Sequence, residues 1–383
     1  MSQSQATTVE RLRAVGQSVW IDDLTRQMIA GGQLARLLEQ GVTGITANPT
    51  TFDKAVAESD LYDADIQLRA ADRSAEEVLR DLLVDDVRSA ADMLRPVHAQ
   101  TGGGDGYVSI EVAPDLAYDT ERSVAAAHVL WTRCDRPNVL VKVPATAEGI
   151  PAIQRLLSEG VNVNVTLTFS LRRYEEVVEA FLSGLELRLE RGLPIDRAAS
   201  VASFFVSRVD SKVDPELRRR LQEAPPGEAH DALESMVGTI GIANSKLAHE
   251  RFRDLHSGSR WERLAAAGAR PQRCLWASTS TKDEAYRPTM YVEALAGPNT
   301  INTMPLKTFD ALAEARVEGA ELERDVDLAR ERVARLADFG IDLDRVTAEL
   351  ESEGVRSFAD SYRHLAGVIT EKLAPPARLR GER

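Results

Sequence analysis

A single lysine, Lys142, stands among valines in the run NVLVKV at 138–143. Apolar surroundings disfavour the charged form of a lysine, and the neutral amine that results is a nucleophile able to form a Schiff base with a carbonyl. The same residue can instead be a rim lysine that buries its stem and pairs with a carboxylate for stability, so the lysine alone leaves both readings open. Its company gives it chemical weight: Glu111 in YVSIEV, Asp22 in SVWID, and Asn164 and Thr166 in VNVNVT. Two carboxylates can move protons, while an amide and a hydroxyl can fix the hydroxyls of a polyol. Metal ions offer a competing way to polarise a carbonyl. None of the six histidines, His98, His128, His230, His249, His256 and His364, falls in such a run, where a zinc-type site would need them. Neither a metal nor a cofactor is expected.

These residues converge only if their runs are strands of one sheet. Side chains alternate across a strand, and VNVNVT divides into Val161, Val163 and Val165 on one face and Asn162, Asn164 and Thr166 on the other. YVSIEV sets Val108, Ile110 and Val112 against Tyr107, Ser109 and Glu111; NVLVKV sets Val139, Val141 and Val143 against Asn138, Leu140 and Lys142. SVWID sets Val19 and Ile21 against Trp20 and Asp22, which favours Asp22 over Asp23 as the inward carboxylate and leaves Asp23 as a helix cap or surface residue. Antiparallel strands with a wet outer face give the same alternation. Helical periodicity between the runs argues against that reading.

Eight such runs occur before about residue 305: SVWID (18–22), GITAN (44–48), YVSIEV (107–112), NVLVKV (138–143), VNVNVT (161–166), SVASFF (200–205), RCLWAS (273–278) and TINTM (300–304). Each is followed by a helical pattern. The order matches a (β/α)8 TIM barrel of the α/β class, with a doubly wound open sheet as the rival. Extra helical segments are expected over about 60–96, as two helices between about 228 and 267, and over about 306–372. The expected organisation is a polar N-terminal extension at 1–14, one barrel domain over 15–372, and a flexible tail at 373–383. TGGGDG at 101–106 leads into a strand and lacks a following Lys-Ser/Thr, so it reads as a flexible turn rather than a phosphate loop.

Composition narrows the partners. The 383 residues carry a net formal charge of −13, with no run of Lys and Arg, so nucleic acid and anionic membranes are not expected partners. No apolar stretch approaches a membrane span and no N-terminal segment reads as a signal peptide, which points to the cytoplasm. Cys134 and Cys274 lie far apart without a metal or redox pattern and read as small core residues.

From about residue 15 to 310 the sequence resembles the transaldolases. The resemblance rests on GITANPTTF (44–52), SIEVAPDLAYDTERSV (109–124), NVLVKVPATAEGI (138–150) and GVNVNVTLTFS (160–170), in that order. It implies transfer of a dihydroxyacetone unit between ketose and aldose phosphates, converting sedoheptulose 7-phosphate and glyceraldehyde 3-phosphate to erythrose 4-phosphate and fructose 6-phosphate in the non-oxidative pentose phosphate pathway. Matching position by position, it implies Lys142 as the Schiff-base lysine, Glu111 as acid and base through a water held by Thr166, and Asp22 as the base at the C4 hydroxyl. Asn48, Asn164, Thr46 and Ser203 match positions that hold the dihydroxyacetone hydroxyls. Arg208 and Ser278 match the phosphate site. The commoner pattern has an Arg two residues after that Ser, whereas this chain has Ser280 and then Lys282, a point charge in its place. An ion pair on a helix face is the rival role for Arg208. Sugar phosphates are the implied partners, in a monomer or homodimer. A related aldolase that releases free dihydroxyacetone, or a catalytically silent barrel, are the alternatives.

Overall fold

All eight runs form strands: β1 (Gln17–Ile21), β2 (Gly44–Thr46), β3 (Val108–Glu111), β4 (Val139–Pro144), β5 (Val163–Thr168), β6 (Ser200–Phe205), β7 (Arg273–Ala277) and β8 (Thr300–Met304). The computed structural model describes residues 6–69 and 73–373. Each strand pairs in parallel with the next, and β8 pairs back with β1 to close the barrel, which excludes both the open sheet and the antiparallel reading.

The two strand faces feed two cores. Val19, Ile21, Val108, Ile110, Val139, Val141, Val143, Val163 and Val165 pack outward against the surrounding helices. Trp20, Leu140, Val201, Leu275 and Ile301 belong to the inner core instead. Trp20 fits because β2 begins at Gly44: a Cβ there would lie 2.3 Å from the indole Cε2. Both cysteines are buried and unpaired, as expected of core residues.

The TGGGDG turn is tied down rather than flexible. The buried carboxylate of Asp105 accepts hydrogen bonds from Trp20 Nε1 (2.7 Å), Thr43 Oγ1 (3.0 Å) and the Ser18 hydroxyl. The expected N-terminal extension is also partly domain. Thr8–Ala14 is a helix opened by a capping box between Thr7 and Glu10, and its Val9 and Leu12 enter the outer core. Residues 1–5 and the tail beyond Leu373 lie outside the described residues.

Between 228 and 267 there are three helices rather than two, Glu228–Met236, Ile240–Leu255 and Gly258–Ala266, separated at Gly238 and Gly258, which both take left-handed backbone. The 60–96 segment becomes Asp63–Arg69 and Ala75–Gln100, and the chain past β8 ends in a long helix, Leu343–Leu373. Among the described residues no helix is long and apolar enough to cross a membrane.

Candidate active site

Strand register brings the chemical residues together. Glu111 on β3 is level with Lys142 on β4, which is level with Asn164 on β5; Thr166 is level with Pro144 at the end of β4. Lys142 is only 3% exposed. Its Nζ lies 3.1 Å from Glu111 Oε2 in a buried ion pair. Glu111 Oε1 and Thr166 Oγ1, both buried, have no hydrogen-bond partner among the described residues. Unmet buried polar groups are costly, about 1–3 kcal/mol each, so these atoms are suited to a small polar species held between them.

Asp22 follows β1 directly, its backbone N–H donating to Met304 O (2.9 Å) and so extending the ladder with β8. Asp22 Oδ1 accepts from Thr46 Oγ1 (2.8 Å) and Asn48 Nδ2 (3.2 Å). The Thr46 hydroxyl also meets Thr303 Oγ1 at 2.7 Å, and Asn48 is steadied by Thr51 N–H, which donates to its Oδ1 (3.0 Å). Burial pushes the carboxyls of both Asp22 and Glu111 above the usual carboxylate range, with Lys142 pulling each back down. Raised carboxyls are suited to proton transfer near neutral pH. Asp23 accepts from Leu306 N–H (3.0 Å) across the β1–β8 seam and also lines the cavity, while the helix that follows it, Arg26–Ala30, is capped by Thr25.

Above these groups lies a cavity of about 340 Å³ lined by hydroxyls, Lys142 and two further cations, Arg208 and Lys282. Asp22, Thr46, Asn48, Thr166, Ser203 and Ser278 also face it. Glu111 and Asn164 stand behind the lining. Asn164 donates from Nδ2 to Ser109 Oγ (2.9 Å) and accepts from Ser203 Oγ (2.8 Å), so it fixes the hydroxyl that reaches the cavity.

Arg208 is in the first turn of the helix Ser207–Glu223, after β6. It makes no ion pair among the described residues, contrary to the rival role; its guanidinium lies between the rings of Phe205 (5.5 Å) and Phe358 (5.9 Å). Burial lowers its pKa against the opposing pull of Asp22; burial and Arg208 together lower that of Lys282. Ser278 follows β7 with φ 55°, a left-handed conformation uncommon outside glycine. That turn is held by Ser207 N–H donating to its carbonyl (3.0 Å) and by a 3.0 Å contact between the two serine hydroxyls. Lys282 Nζ donates to Ser280 Oγ (2.8 Å). A half-buried Arg208 and an exposed Lys282, mutually unfavourable and beside serine hydroxyls, are arranged for a dianion.

Among the lining residues that the sequence pattern does not assign to the site are Thr303, Phe205 and Phe358. Alternation would have found two of them, since Thr303 shares a face with Ile301 and Phe205 with Ser203. Phe358 arrives from the long last helix and carries no local signal.

A closed barrel with a buried lysine–carboxylate pair beneath a polar cavity, at the strand ends where barrel enzymes place their chemistry, defines an enzyme of the aldol type. The chain belongs to the Transaldolase/Fructose-6-phosphate aldolase family, whose model matches residues 19–369. It is 46% identical to a transaldolase of Frankia alni over 370 residues, covering 95% of this chain and 97% of that protein. It is 45% identical to one of Thermobifida fusca, covering 96% and 98% of the two chains, and 41% identical to one of Trichodesmium erythraeum, covering 94% and 96%.

Proposed function

We propose that this enzyme is a transaldolase that moves a dihydroxyacetone unit from a ketose phosphate to an aldose phosphate through a Schiff base on Lys142. The observation that carries the reading is the buried amine, 3.1 Å from Glu111, facing a cavity that Arg208 and Lys282 also line. A sugar phosphate fits that polarity, with its carbonyl at the amine and its phosphate at the cations. The amine adds to the C2 carbonyl once it has given up a proton. Glu111, through a water held by Thr166, protonates the departing oxygen as the carbinolamine becomes an iminium.

Asp22 then takes the proton of the C4 hydroxyl. The C3–C4 bond breaks, its electrons pass into the iminium, an aldose phosphate leaves, and an enamine remains on Lys142. The enamine carbon attacks the aldehyde of the acceptor, and the steps reverse. Thr46 and Asn48 orient Asp22 while Ser203, fixed by Asn164, meets the hydroxyls of the retained unit. Sedoheptulose 7-phosphate with glyceraldehyde 3-phosphate is the natural pair, giving erythrose 4-phosphate and fructose 6-phosphate in the non-oxidative pentose phosphate pathway. We place the reaction in the cytoplasm, where two unpaired thiols remain reduced.

A coupled assay for erythrose 4-phosphate tests the reading. Product is expected only when donor and acceptor are both present. Continuous release of free dihydroxyacetone from the donor alone, at the rate of transfer, would identify an aldolase instead; no turnover of either kind would leave a silent barrel.

A further inference from the structure

The helix Leu343–Leu373 has 31 residues, about 46 Å at 1.5 Å per residue, and one stripe of it faces the molecule throughout. The first part of that stripe, Val346, Leu350 and Phe358, joins the inner core of the barrel. The last part, Leu365 and Ile369, closes a separate core with Phe52, Tyr62 and Leu79 from the helical segment before β3. The helix therefore crosses the barrel mouth and is anchored on both sides. Polar ties hold it: Arg173 Nε to Glu351 (3.2 Å) and Lys212 Nζ to Glu353 (2.5 Å) on one side, His364 Nδ1 to Asp53 (2.8 Å) on the other.

In mid-span the stripe presents Gly354 and then Phe358. A Cβ on Gly354 would lie 2.8 Å from Leu167 Cδ2, so the absence of a side chain lets the helix settle onto β5. Leu167 itself is turned toward the helix by a bulge in β5, where its φ is 58°. One helical turn on, the Phe358 ring comes down over the reacting groups, with Lys142 Nζ 5.5 Å and Arg208 5.9 Å from its centroid. A neighbouring cavity of about 350 Å³, lined by Gln27, Glu58 and Ser59, shares Asp23, Thr50 and Thr51 with the site, and Phe358 is not among its lining residues. The helix thus supplies an apolar lining residue beside Lys142 in a cavity otherwise rich in hydroxyls.

We infer that Phe358 decides the fate of the bound three-carbon unit, keeping the enamine on Lys142 for an acceptor instead of letting solvent discharge it. This rests on the Schiff-base reading above and adds a specificity residue to it. Discharge requires that the enamine carbon take a proton to give the iminium, that water add to the iminium carbon, and that the carbinolamine expel the Lys142 amine, leaving dihydroxyacetone and the protonated lysine. Each step needs a solvent proton or a water other than the one assigned to Glu111 and Thr166 to reach the amine, and the Phe358 ring sets hydrocarbon on one side of that approach.

The experiment compares free dihydroxyacetone released from fructose 6-phosphate alone with transfer from it to erythrose 4-phosphate, read as sedoheptulose 7-phosphate, in the parent, Phe358→Leu and Phe358→Ala. Acceptor-dependent transfer in the parent tests the underlying reading; only the ratio in the variants tests the role of Phe358. Phe358→Ala is expected to raise release relative to transfer about tenfold by admitting water, and Phe358→Leu, which keeps apolar bulk, to stay close to the parent. A ratio unchanged in Phe358→Ala, at whatever overall rate, would overturn the inference and leave Phe358 as core packing. Should the alanine variant fail to fold, Phe358→Val is read in the same way, because a ratio does not depend on the fraction of active protein.

Discussion

Lys142 Nζ and Glu111 Oε2 face each other at 3.1 Å across the seam of β3 and β4, in register and away from solvent. The pair is the centre of the proposed chemistry. Lys142→Ala should lose turnover by at least about 10³-fold, the scale expected when a covalent nucleophile is removed, while still folding. With its counter-charge gone, the Glu111 carboxyl, already pushed up by burial, takes a proton and the site stays neutral. Borohydride with fructose 6-phosphate should add a three-carbon mass to the Lys142 peptide of the parent. An active preparation that yields no such adduct would refute the mechanism.

Asp22 separates Schiff-base formation from carbon–carbon cleavage. Asp22→Asn should still be trapped by borohydride, now with the whole donor sugar on Lys142, while turnover falls about 10²- to 10⁴-fold. The carboxyl must be ionised to act as a base, and burial raises its pKa, so activity in the parent should fall as pH drops through that raised value. The acidic limb of the pH–rate profile therefore lies above the ordinary carboxylate range. A limb near pH 4, or an Asp22→Asn variant with normal turnover, would contradict the assignment.

The two cations should differ in strength. A planar guanidinium held between two rings can fork onto a phosphate, whereas Lys282 offers a point charge. Arg208→Ala is expected to raise KM for phosphorylated donors by about 10–100-fold, and Lys282→Ala by less, on the scale of charge-assisted hydrogen bonds. Neither should alter KM comparably for unphosphorylated fructose. Equal effects on both sugars would reduce these residues to structural roles.

Stability should carry its own pH signature. Asp210 on the helix after β6 is buried, accepting from Gly241 N–H (2.7 Å) and Tyr291 OH (2.9 Å), and burial raises its carboxyl to about 7. Between about pH 4 and pH 7 the folded protein holds a proton that the unfolded chain has released, so stability declines as pH rises across that window. Asp210→Asn should flatten the decline, seen as a smaller loss in urea midpoint between pH 5 and pH 8. An unchanged slope would show that the titration lies elsewhere.

Much of this architecture is legible in the chain because a parallel barrel writes its two faces into each strand. Val141 and Val143 against Lys142, or Val163 and Val165 against Asn164, fix both the strand and the direction of the chemical side chain. Helix boundaries are less legible where one glycine decides them: Gly258 looks innocuous in sequence, yet its left-handed backbone divides two helices. Residues 8–14 are polar on average, and only the spacing of Val9 and Leu12 with the Thr7–Glu10 box betrays a docked helix. The long last helix is periodic and so readable as a helix. Where it lies depends on partners hundreds of residues away, and for that reason Phe358 could not be assigned to the site beforehand.

The bridging helix follows all eight strands in translation order. A ribosome can therefore release a complete ring of strands before the residues that span its mouth have been made, and until then the amine of Lys142 is open to any passing carbonyl metabolite, and the patch around Phe52 and Leu79 is bare. Residues 343–373, the last of the described residues to be made, complete both the barrel mouth and that patch.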